Sequence, residues 1–299
     1  MRKLILKNTT VLIVLSFLFS TNINAQAQMV LVEGGTFKMG RDTKKDIVEG
    51  AEFKNELPRH DVTLNSFMIG KYEVTVKEYK EFVKATGKKM PSSPDSAWFA
   101  EHPDTKLYYP LSKSQWWGWK DYYPMHNVTW YDAVEYCNWL SEKNGLEKCY
   151  KIAGENTTCD FSKNGYRLPT EAEWEFAARG GNKSKGYNYS GSNNLDDVAW
   201  YDETTGLKGP MKVGTKKPNE LGIYDMSGNV WEWCNDYYSG SYYSISPKDN
   251  PKGAGQNIHR VIRGGSWHYR SQLARIADRD GPYPHFTNYN YGFRLAKNK

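Results

Sequence analysis

The sequence predicts a single domain of the α+β class with much irregular loop structure. Short strand-like segments alternate with a few helical segments that carry strong capping signals, and the connecting stretches are rich in Gly, Asn, Asp and Tyr. Aromatic residues make up 15% of the chain, and large rings can hold irregular backbone in place while burying apolar area. The content of 39% hydrophobic and 25% charged residues excludes a disordered chain and a polytopic membrane protein.

Residues 1–27 are predicted to be a signal peptide. Three basic residues precede an apolar run at 11–19, and Ala25-Gln26-Ala27 follows as a cleavage site. The run is too short to span a membrane, and an uncleaved anchor is the alternative interpretation. We therefore predict an exported protein, located in the periplasm, cell envelope or extracellular space, with one domain over 28–299 and no transmembrane segment after cleavage.

The net charge does not indicate a nucleic-acid partner. Removal of the signal peptide takes away three basic and no acidic residues, so the formal charge falls from +6 to +3. No basic stripe remains that would favour nucleic acid or an anionic membrane.

The N-terminal part of the domain contains strand patterns and one helix. Residues 29–39 alternate apolar and polar around Gly34-Gly35, which predicts a β-hairpin, and residues 61–74 contain another strand-like run. A helix is predicted after Thr75, because Glu78 stands at the capping-box position, and it ends at Gly87.

Two further helices are predicted. One begins after Thr129 and stops at Gly145. The other begins after Thr170, with Glu173 at the capping-box position, and ends at Gly180-Gly181. We interpret the glutamates of this helix as cap and dipole partners rather than as catalysts.

The C-terminal half is expected to be mostly loop. The stretch 181–260 carries no clear periodic pattern, Arg260–Arg263 predicts a strand that enters Gly264-Gly265, and residues 291–296 predict a closing strand.

The four cysteines allow several arrangements. Cys149 and Cys159 flank a short polar stretch between segments that could pair as a hairpin, so a disulfide between them is plausible in an oxidising compartment. Cys137 and Cys234 are interpreted as buried thiols, with a Cys137–Cys234 disulfide or a two-thiolate copper site as alternatives.

The chain resembles the formylglycine-generating-enzyme family, also called the sulfatase-modifying-factor family. The motifs occur in the family's order and cover nearly all of the mature chain, which makes the resemblance specific for the fold. They are Met39-Gly40, Gly70 to Thr75, Pro124 to Asn138, Gly165 to Gly181, Asn219 to Trp233, Arg263 to Trp267 and Gly292-Phe293-Arg294. The resemblance implies the family's fold, which is similar to that of C-type lectins.

The same resemblance bears on catalysis. Enzymes of this family oxidise a substrate cysteine to formylglycine with copper, held by two cysteines just after the Gly-Gly-Ser motif. In this chain, Tyr269 stands where the first copper-binding cysteine is expected. The second copper-binding cysteine would fall in a segment that is shorter here, and no cysteine follows Cys234 in the sequence. Because tyrosine, serine and histidine do not replace soft thiolate ligands, copper binding and cysteine oxidation are not expected. Related iron enzymes take ligands from a histidine pattern in an additional helical domain, and the six histidines here form no i, i+4 pair.

The resemblance to the family also implies a calcium site. The matching positions are Asp225, Gly228, Val230 and Glu232, whose carboxylate and carbonyl oxygens suit Ca²⁺. The alternative is that Asp225 caps the turn and Glu232 pairs with an arginine.

The segment after the glycine pair carries the candidate ligand-binding residues. They are Trp267, His268, Tyr269, Arg270, Arg279 and Tyr289. Rings and polar groups of this kind serve recognition surfaces, although such rings can equally lie in a core. The stretch also weakly resembles the variable region of diversified lectin-like proteins.

We thus predict an exported binding or assembly module of the cell envelope that holds a peptide, protein or glycan in the ancestral cleft. The first alternative is a formylglycine-generating or related oxidoreductase that acts on a sulfatase cysteine or another sulfur substrate, with Cys234, Ser266, His268 and Tyr269 as candidate catalytic residues. The second alternative is a diversified lectin-like protein.

Overall fold

The computed structural model describes residues 27–48, 50–92, 118–206 and 208–299. The predicted signal peptide lies outside this range apart from its last residue. None of the helices within these ranges is both long enough and apolar enough to cross a membrane.

The described residues form eleven short strands, five α-helices and four short 3₁₀ segments. The strands are β1 (Met29–Val32), β2 (Gly35–Met39), β3 (His60–Leu64), β4 (Phe67–Gly70), β5 (Tyr150–Lys151), β6 (Thr158–Cys159), β7 (Trp231–Tyr237), β8 (Arg260–Arg263), β9 (Arg279–Asp280), β10 (Tyr291–Gly292) and β11 (Ala296–Asn298). The helices are α1 (Val76–Thr86), α2 (Trp130–Lys143), α3 (Glu171–Ala178), α4 (Leu195–Val198) and α5 (Asp202–Thr205). The 3₁₀ segments are Ala51–Glu56, Gly181–Lys183, Tyr242–Ser244 and Ser271–Ala274.

The three capped helices form where the sequence predicts them. Thr75, Thr129 and Thr170 each accept a hydrogen bond from the backbone three residues on, and the acidic residue there bonds back to the cap. Each reciprocal pair satisfies two backbone donors that the first turn leaves open. Gly87 closes α1 in the left-handed conformation, at φ 71°.

The predicted hairpin at 29–39 is wrong, although both of its strands exist. β1 pairs antiparallel with β4, and β2 pairs antiparallel with β3, so the two neighbours belong to different sheets. A Cβ atom on Gly34 would lie 2.5 Å from the carbonyl oxygen of Leu64, so the chain passes here too close to other backbone for a side chain. Alternation predicts a strand but not its partner.

The closing segment and the predicted loop region also differ from expectation. The stretch 291–296 divides into β10, which pairs parallel with β7, and β11, which pairs antiparallel with β4. The region 181–260 contains β7, the longest strand, which the sequence pattern did not reveal because it is buried along most of its length and lacks polar alternation.

The four-stranded sheet, in the order β10-β7-β8-β9, contributes to two hydrophobic cores. Trp231 and Trp233 of β7 pack into the core that contains α1 and α2, whereas Cys234 packs into the core that contains α3. This alternation follows from the period of two along a strand. Residues of β7, β9 and β10 line the cleft described below.

Candidate functional site

A cleft of about 310 Å³ lies beside the segment that follows the glycine pair Gly264-Gly265. It is lined by rings, by two carboxylates and by few other groups. The lining residues are Phe53, Asn55, Trp231, Tyr238, Tyr269, Leu273, Asp278, Arg279, Asp280 and Tyr291.

The glycine pair gives this segment its position. Gly264 and Gly265 have φ values of 99° and 73°, which L-residues with side chains rarely adopt. A Cβ atom on Gly265 would lie 2.4 Å from the carbonyl oxygen of Leu273. The segment can therefore fold back onto the glycines, and this brings Tyr269 and Leu273 to the cleft.

Tyr269 is the predicted site residue that the structure places most clearly in the cleft. Its ring stands edge-on to Trp231, at a centroid distance of 6.2 Å, and burial raises the pKa of its hydroxyl. His268 is half-buried between Trp267 and Tyr269, and burial lowers the pKa of its imidazole. His268 does not line the cleft wall.

Three other candidates after the glycine pair do not line the cleft. Ser266 and Trp267 are buried, and the indole Nε1 of Trp267 donates a hydrogen bond to the carbonyl of Tyr289 at 3.2 Å. Tyr289 is buried beneath the same segment. These side chains support the loop from below, so their predicted contact with a ligand does not follow from the geometry. Arg270 is exposed outside the cleft.

Arg279 lines the cleft, but its guanidinium is already paired. Its Nε and Nη2 donate to the two carboxylate oxygens of Glu171, at 2.6 and 2.8 Å, and Nη1 donates to the carbonyls of Asn55 and Ser239. The prediction of Arg279 as a ligand-binding cation is therefore corrected, because all three nitrogens have protein partners.

The structure does not support Cys234 as a catalytic residue. Its thiol is completely buried in the core beside α3, and burial raises its pKa well above the ordinary value. A protonated thiol without access to solvent is a weak nucleophile and a poor copper ligand. The interpretation of Cys137 and Cys234 as buried thiols agrees with the structure, since both are free and lie in different cores.

The predicted disulfide between Cys149 and Cys159 is absent, and both residues are free thiols. The hairpin itself forms, with Tyr150 opposite Cys159. In this register Tyr150 rather than Cys149 stands opposite Cys159, although both thiols pack against the core that contains α2.

The loop predicted to bind calcium holds an excess of carboxylates. Glu73, Asp225 and Glu232 are buried around a single guanidinium, that of Arg294. Burial, together with the charges of the other two acids, raises the pKa of Glu73 well above its usual value, and burial raises that of Asp225 to about 6.

The side chains of this loop nevertheless have protein partners. Glu232 accepts from Arg294 Nε and Nη2 at 2.5 and 2.6 Å and from Trp174 Nε1 at 2.7 Å, and Asp225 accepts from the backbone N–H of Gly214. The Glu232 carboxylate is thus committed to Arg294 and does not fit the role of a calcium ligand. The pairing of Glu232 with an arginine matches the alternative interpretation, whereas Asp225 accepts from Gly214 rather than from its own turn, and calcium binding stays a prediction.

Two features of the site were missed by the sequence reasoning. The first is the pair of acids in the cleft, of which Asp278 is buried and has a raised pKa because of burial. The second is the network of buried ion pairs beneath the cleft, in which Glu175 binds Arg263 and Arg179. The helix of Glu175 was recognised, and Arg179 lies only four positions further on, but nothing in the sequence identifies Arg263, 88 positions away, as the second partner.

No set of three His, Cys, Asp or Glu side chains converges in a metal-binding arrangement within the described residues. No cysteine follows Cys234 in the sequence, and the lining of the cleft contains no cysteine among the described residues. The cleft is therefore equipped with rings and carboxylates rather than with thiolate ligands.

The comparison with known sequences agrees with the fold. Residues 17–299 match the sequence model of the sulfatase-modifying factor enzyme 1-like domain. The chain is 35% identical to the chaperone protein LppX of Paenibacillus barcinonensis, over 94% of this chain and 92% of the relative. It is 30% identical to the formylglycine-generating enzyme of Streptomyces coelicolor, over 89% of this chain and 88% of the relative.

Solved structures give the same result. Treponema denticola variable protein 1 is similar with a TM-score of 0.70 and 28% identity, over 91% of this chain and 95% of that protein. PvdO from Pseudomonas aeruginosa is similar with a TM-score of 0.67 and 27% identity, over 91% of this chain and 94% of PvdO. The glycine-pair loop, the capped helices and the match over almost the whole chain lead to one conclusion: this protein belongs to the formylglycine-generating-enzyme family, that of the sulfatase-modifying factor enzyme 1-like domain.

Proposed function

We propose that this protein is an exported, non-catalytic member of its family that binds a peptide segment of a partner protein in the cleft beside Tyr269. The observation that carries the proposal is that the described lining of the cleft contains the ring of Tyr269 and no cysteine. A phenol beside Trp231 offers contact area to a ligand but no soft ligand for copper.

The cleft chemistry favours a peptide with basic side chains. Rings of Trp231, Tyr238 and Tyr291 line the cleft together with the exposed Asp280 and the buried Asp278, which lies 3.5 Å from Arg275. Rings attract ammonium and guanidinium groups through their faces, and carboxylates attract them by charge. The name of the similar LppX protein, a chaperone, agrees with a role in binding other proteins.

The absence of oxidase activity is tested directly. The purified protein is incubated with copper, oxygen and a sulfatase-type cysteine peptide, and the formation of aldehyde is followed by mass spectrometry. We expect no turnover above the rate of the Cys234→Ser variant. Aldehyde formation at enzymatic rates would end the proposal.

Binding is tested with two matched tetrapeptides, acetyl-Ala-Lys-Tyr-Ala-amide and acetyl-Ala-Glu-Tyr-Ala-amide. Isothermal titration should give tighter binding of the lysine peptide, and Tyr269→Ala should weaken it at least tenfold. Tyr122→Ala is the control, since Tyr122 is an exposed tyrosine outside the cleft. Equal affinity of wild type and Tyr269→Ala would contradict the assignment.

Export is part of the proposal and rests on the N-terminal sequence. Expression in a bacterial host followed by N-terminal sequencing should give a mature chain that begins at residue 28. An intact residue 1 on the secreted or envelope-bound protein would favour the uncleaved anchor.

The enzyme reading is the first alternative. It is supported by the 30% identity to the formylglycine-generating enzyme of Streptomyces coelicolor. Among its candidate catalytic residues, Ser266 and Cys234 are buried, so only His268 and Tyr269 would reach a substrate without rearrangement. Loss of a measured turnover in Cys234→Ser would favour this alternative.

The lectin-like reading is the second alternative, and a different surface favours it. Tyr283, His285 and Phe286 form a cluster of rings with His259, with centroid distances of 4.4–5.5 Å, and His285 and Phe286 are exposed. The similarity to Treponema denticola variable protein 1 agrees with such a surface. Glycan-array binding that is lost in Phe286→Ala but kept in Tyr269→Ala would support it.

Calcium at the loop 225–232 is proposed separately. The excess of buried carboxylates supports a cation there, whereas the pairing of Glu232 with Arg294 does not. A rise of the melting temperature with calcium over a chelator control, absent in Asp225→Ala, would support the site; equal melting temperatures would remove it.

A further inference from the structure

One buried arginine differs from all the others in the described part of the chain. Every other buried arginine there pairs with a carboxylate. The pairs are Arg41–Glu56, Arg167–Glu173, Arg263–Glu175, Arg275–Glu56, Arg279–Glu171 and Arg294–Glu232. Arg260 is 5% exposed and forms no ion pair with any described residue. A buried charge without a counter-charge is costly, so this guanidinium calls for an explanation.

The guanidinium of Arg260 is held in place by stacking. It lies between the rings of Trp130 and Tyr237, at 3.8 and 3.5 Å from their centroids. Its Nη1 donates to the carbonyl of Asn235 at 2.6 Å, while the buried Nε has no hydrogen-bond partner among the described atoms. Two rings and one carbonyl fix its plane and leave donor capacity unused.

This guanidinium faces a pocket of about 360 Å³, separate from the cleft beside Tyr269. The pocket carries a second cation at its rim, several amides and hydroxyls, and no carboxylate side chain. Its lining residues are Trp130, Asn156, Thr157, Thr158, Cys159, Phe161, Asn235, Tyr237, Lys252, Gln256 and Arg260.

The nearest acid does not neutralise Arg260. Asp236 follows Asn235 on β7, does not line the pocket, and is buried, which raises its pKa well above the ordinary value. Burial also lowers the pKa of Arg260, whereas the pKa of Arg167, Arg263 and Arg279 is raised. The charge of Asp236 acts on Arg260 and raises the pKa of Arg260, but no described acid forms an ion pair with this guanidinium.

We propose that the pocket beneath the β5–β6 hairpin binds the carboxylate of an acidic peptide side chain, with Arg260 as its principal contact. A single carboxylate matches the single buried guanidinium in charge and can accept two parallel hydrogen bonds from it. The carboxamides of Asn156, Asn235 and Gln256 both donate and accept hydrogen bonds, as peptide groups require. Lys252, which is exposed, adds attraction at the rim.

The test uses small probes and the full chain. Acetyl-glutamate-methylamide is compared with its neutral isostere acetyl-glutamine-methylamide and with glucuronate, by isothermal titration and by the fluorescence of the indole groups. We expect the glutamate probe to bind at least tenfold more tightly than the glutamine probe, and more tightly than glucuronate. Tighter binding of glucuronate would overturn the assignment to a peptide.

Variants then locate the site. Arg260→Gln should lower the affinity for the glutamate probe at least tenfold, and Lys252→Gln by about twofold, the effect of a rim charge. Lys185→Gln, an exposed lysine elsewhere, is the control and should bind as the wild type does. Unchanged affinity in folded Arg260→Gln would overturn the proposal, leaving Arg260 a purely structural residue.

The comparison of acid and amide needs only the wild-type protein. It therefore decides the question even if Arg260→Gln fails to fold, since equal affinity for the glutamate and glutamine probes would contradict the proposal. Because Tyr269→Ala should not alter glutamate binding, failure at this pocket is distinguishable from failure of the cleft.

Discussion

The cleft beside Tyr269 and the pocket beside Arg260 use arginine in opposite ways. In the cleft, Arg279 is saturated by Glu171 and two backbone carbonyls, Asp278 is buried 3.5 Å from Arg275, and Asp280 is the exposed acid. In the pocket, Arg260 is stacked between two rings and forms no ion pair with a described acid. An arginine in a binding site is therefore not by itself a ligand contact, because its partners within the protein decide what it can still bind.

The same difference bears on stability. A carboxylate that loses its buried guanidinium partner keeps its charge in a poorly solvated place, whereas the removal of an unpaired guanidinium leaves no opposite charge behind. Replacement of arginine by glutamine is therefore expected to lower the free energy of unfolding by different amounts at the two sites.

The largest expected effect is that of Arg279→Gln. This change leaves Glu171 buried without its bidentate partner, and we expect a loss of about 3–5 kcal/mol in the free energy of unfolding. Arg260→Gln should cost about 1–2 kcal/mol, the stacking and one hydrogen bond. Urea unfolding measures both, and an equal or larger loss for Arg260→Gln would break the comparison.

An effect of intermediate size is expected from the pH dependence of stability, through Asp278 on the cleft side. Burial raises the pKa of Asp278 well above 3.8, an effect opposed by Arg275 and increased by Glu56 and Asp280. The folded protein then holds a proton that the unfolded chain has released. The contribution of Asp278 to stability therefore falls as pH rises from about 4 towards its folded pKa, by at most about 1.4 kcal/mol per pH unit.

The measurement for Asp278 is urea unfolding of wild type and Asp278→Asn at a series of pH values from 4 to 8. The variant should lose less stability as pH rises, because it cannot titrate at this position. Parallel pH profiles of the two proteins would contradict the role of Asp278. Glutamate-probe binding at Arg260 should stay constant from pH 6 to 8, since neither guanidinium nor probe carboxylate titrates there.

A smaller effect is expected from Cys159→Ser, at the wall of the Arg260 pocket. Without a disulfide to Cys149, the change from thiol to hydroxyl should cost about 1 kcal/mol or less. Loss of a disulfide would instead cost about 2–5 kcal/mol. Alkylation of the denatured protein under non-reducing conditions should label four thiols. Labelling of only two thiols would show that the disulfide between Cys149 and Cys159 is present.

The sequence was informative wherever the interacting groups lie close together along the chain. The capping boxes at Thr75, Thr129 and Thr170 join residues three positions apart, and all three helices begin as predicted. The hairpin around Gly34-Gly35 failed because strand partners are not local, and β7 was missed because burial on both faces removes the alternation that marks a strand.

By itself, the sequence determined the family, the capped helices, the glycine pair that folds the segment of Tyr269 back, and the absence of any cysteine after Cys234. Only the tertiary structure decided which charges are paired. Glu171 and Arg279 lie 108 positions apart, whereas Arg260 forms no ion pair with any acid of the described chain. Pairing of buried charges depends on distances of a few ångströms between elements remote in sequence, and these distances exist only once the sheets and helices have packed.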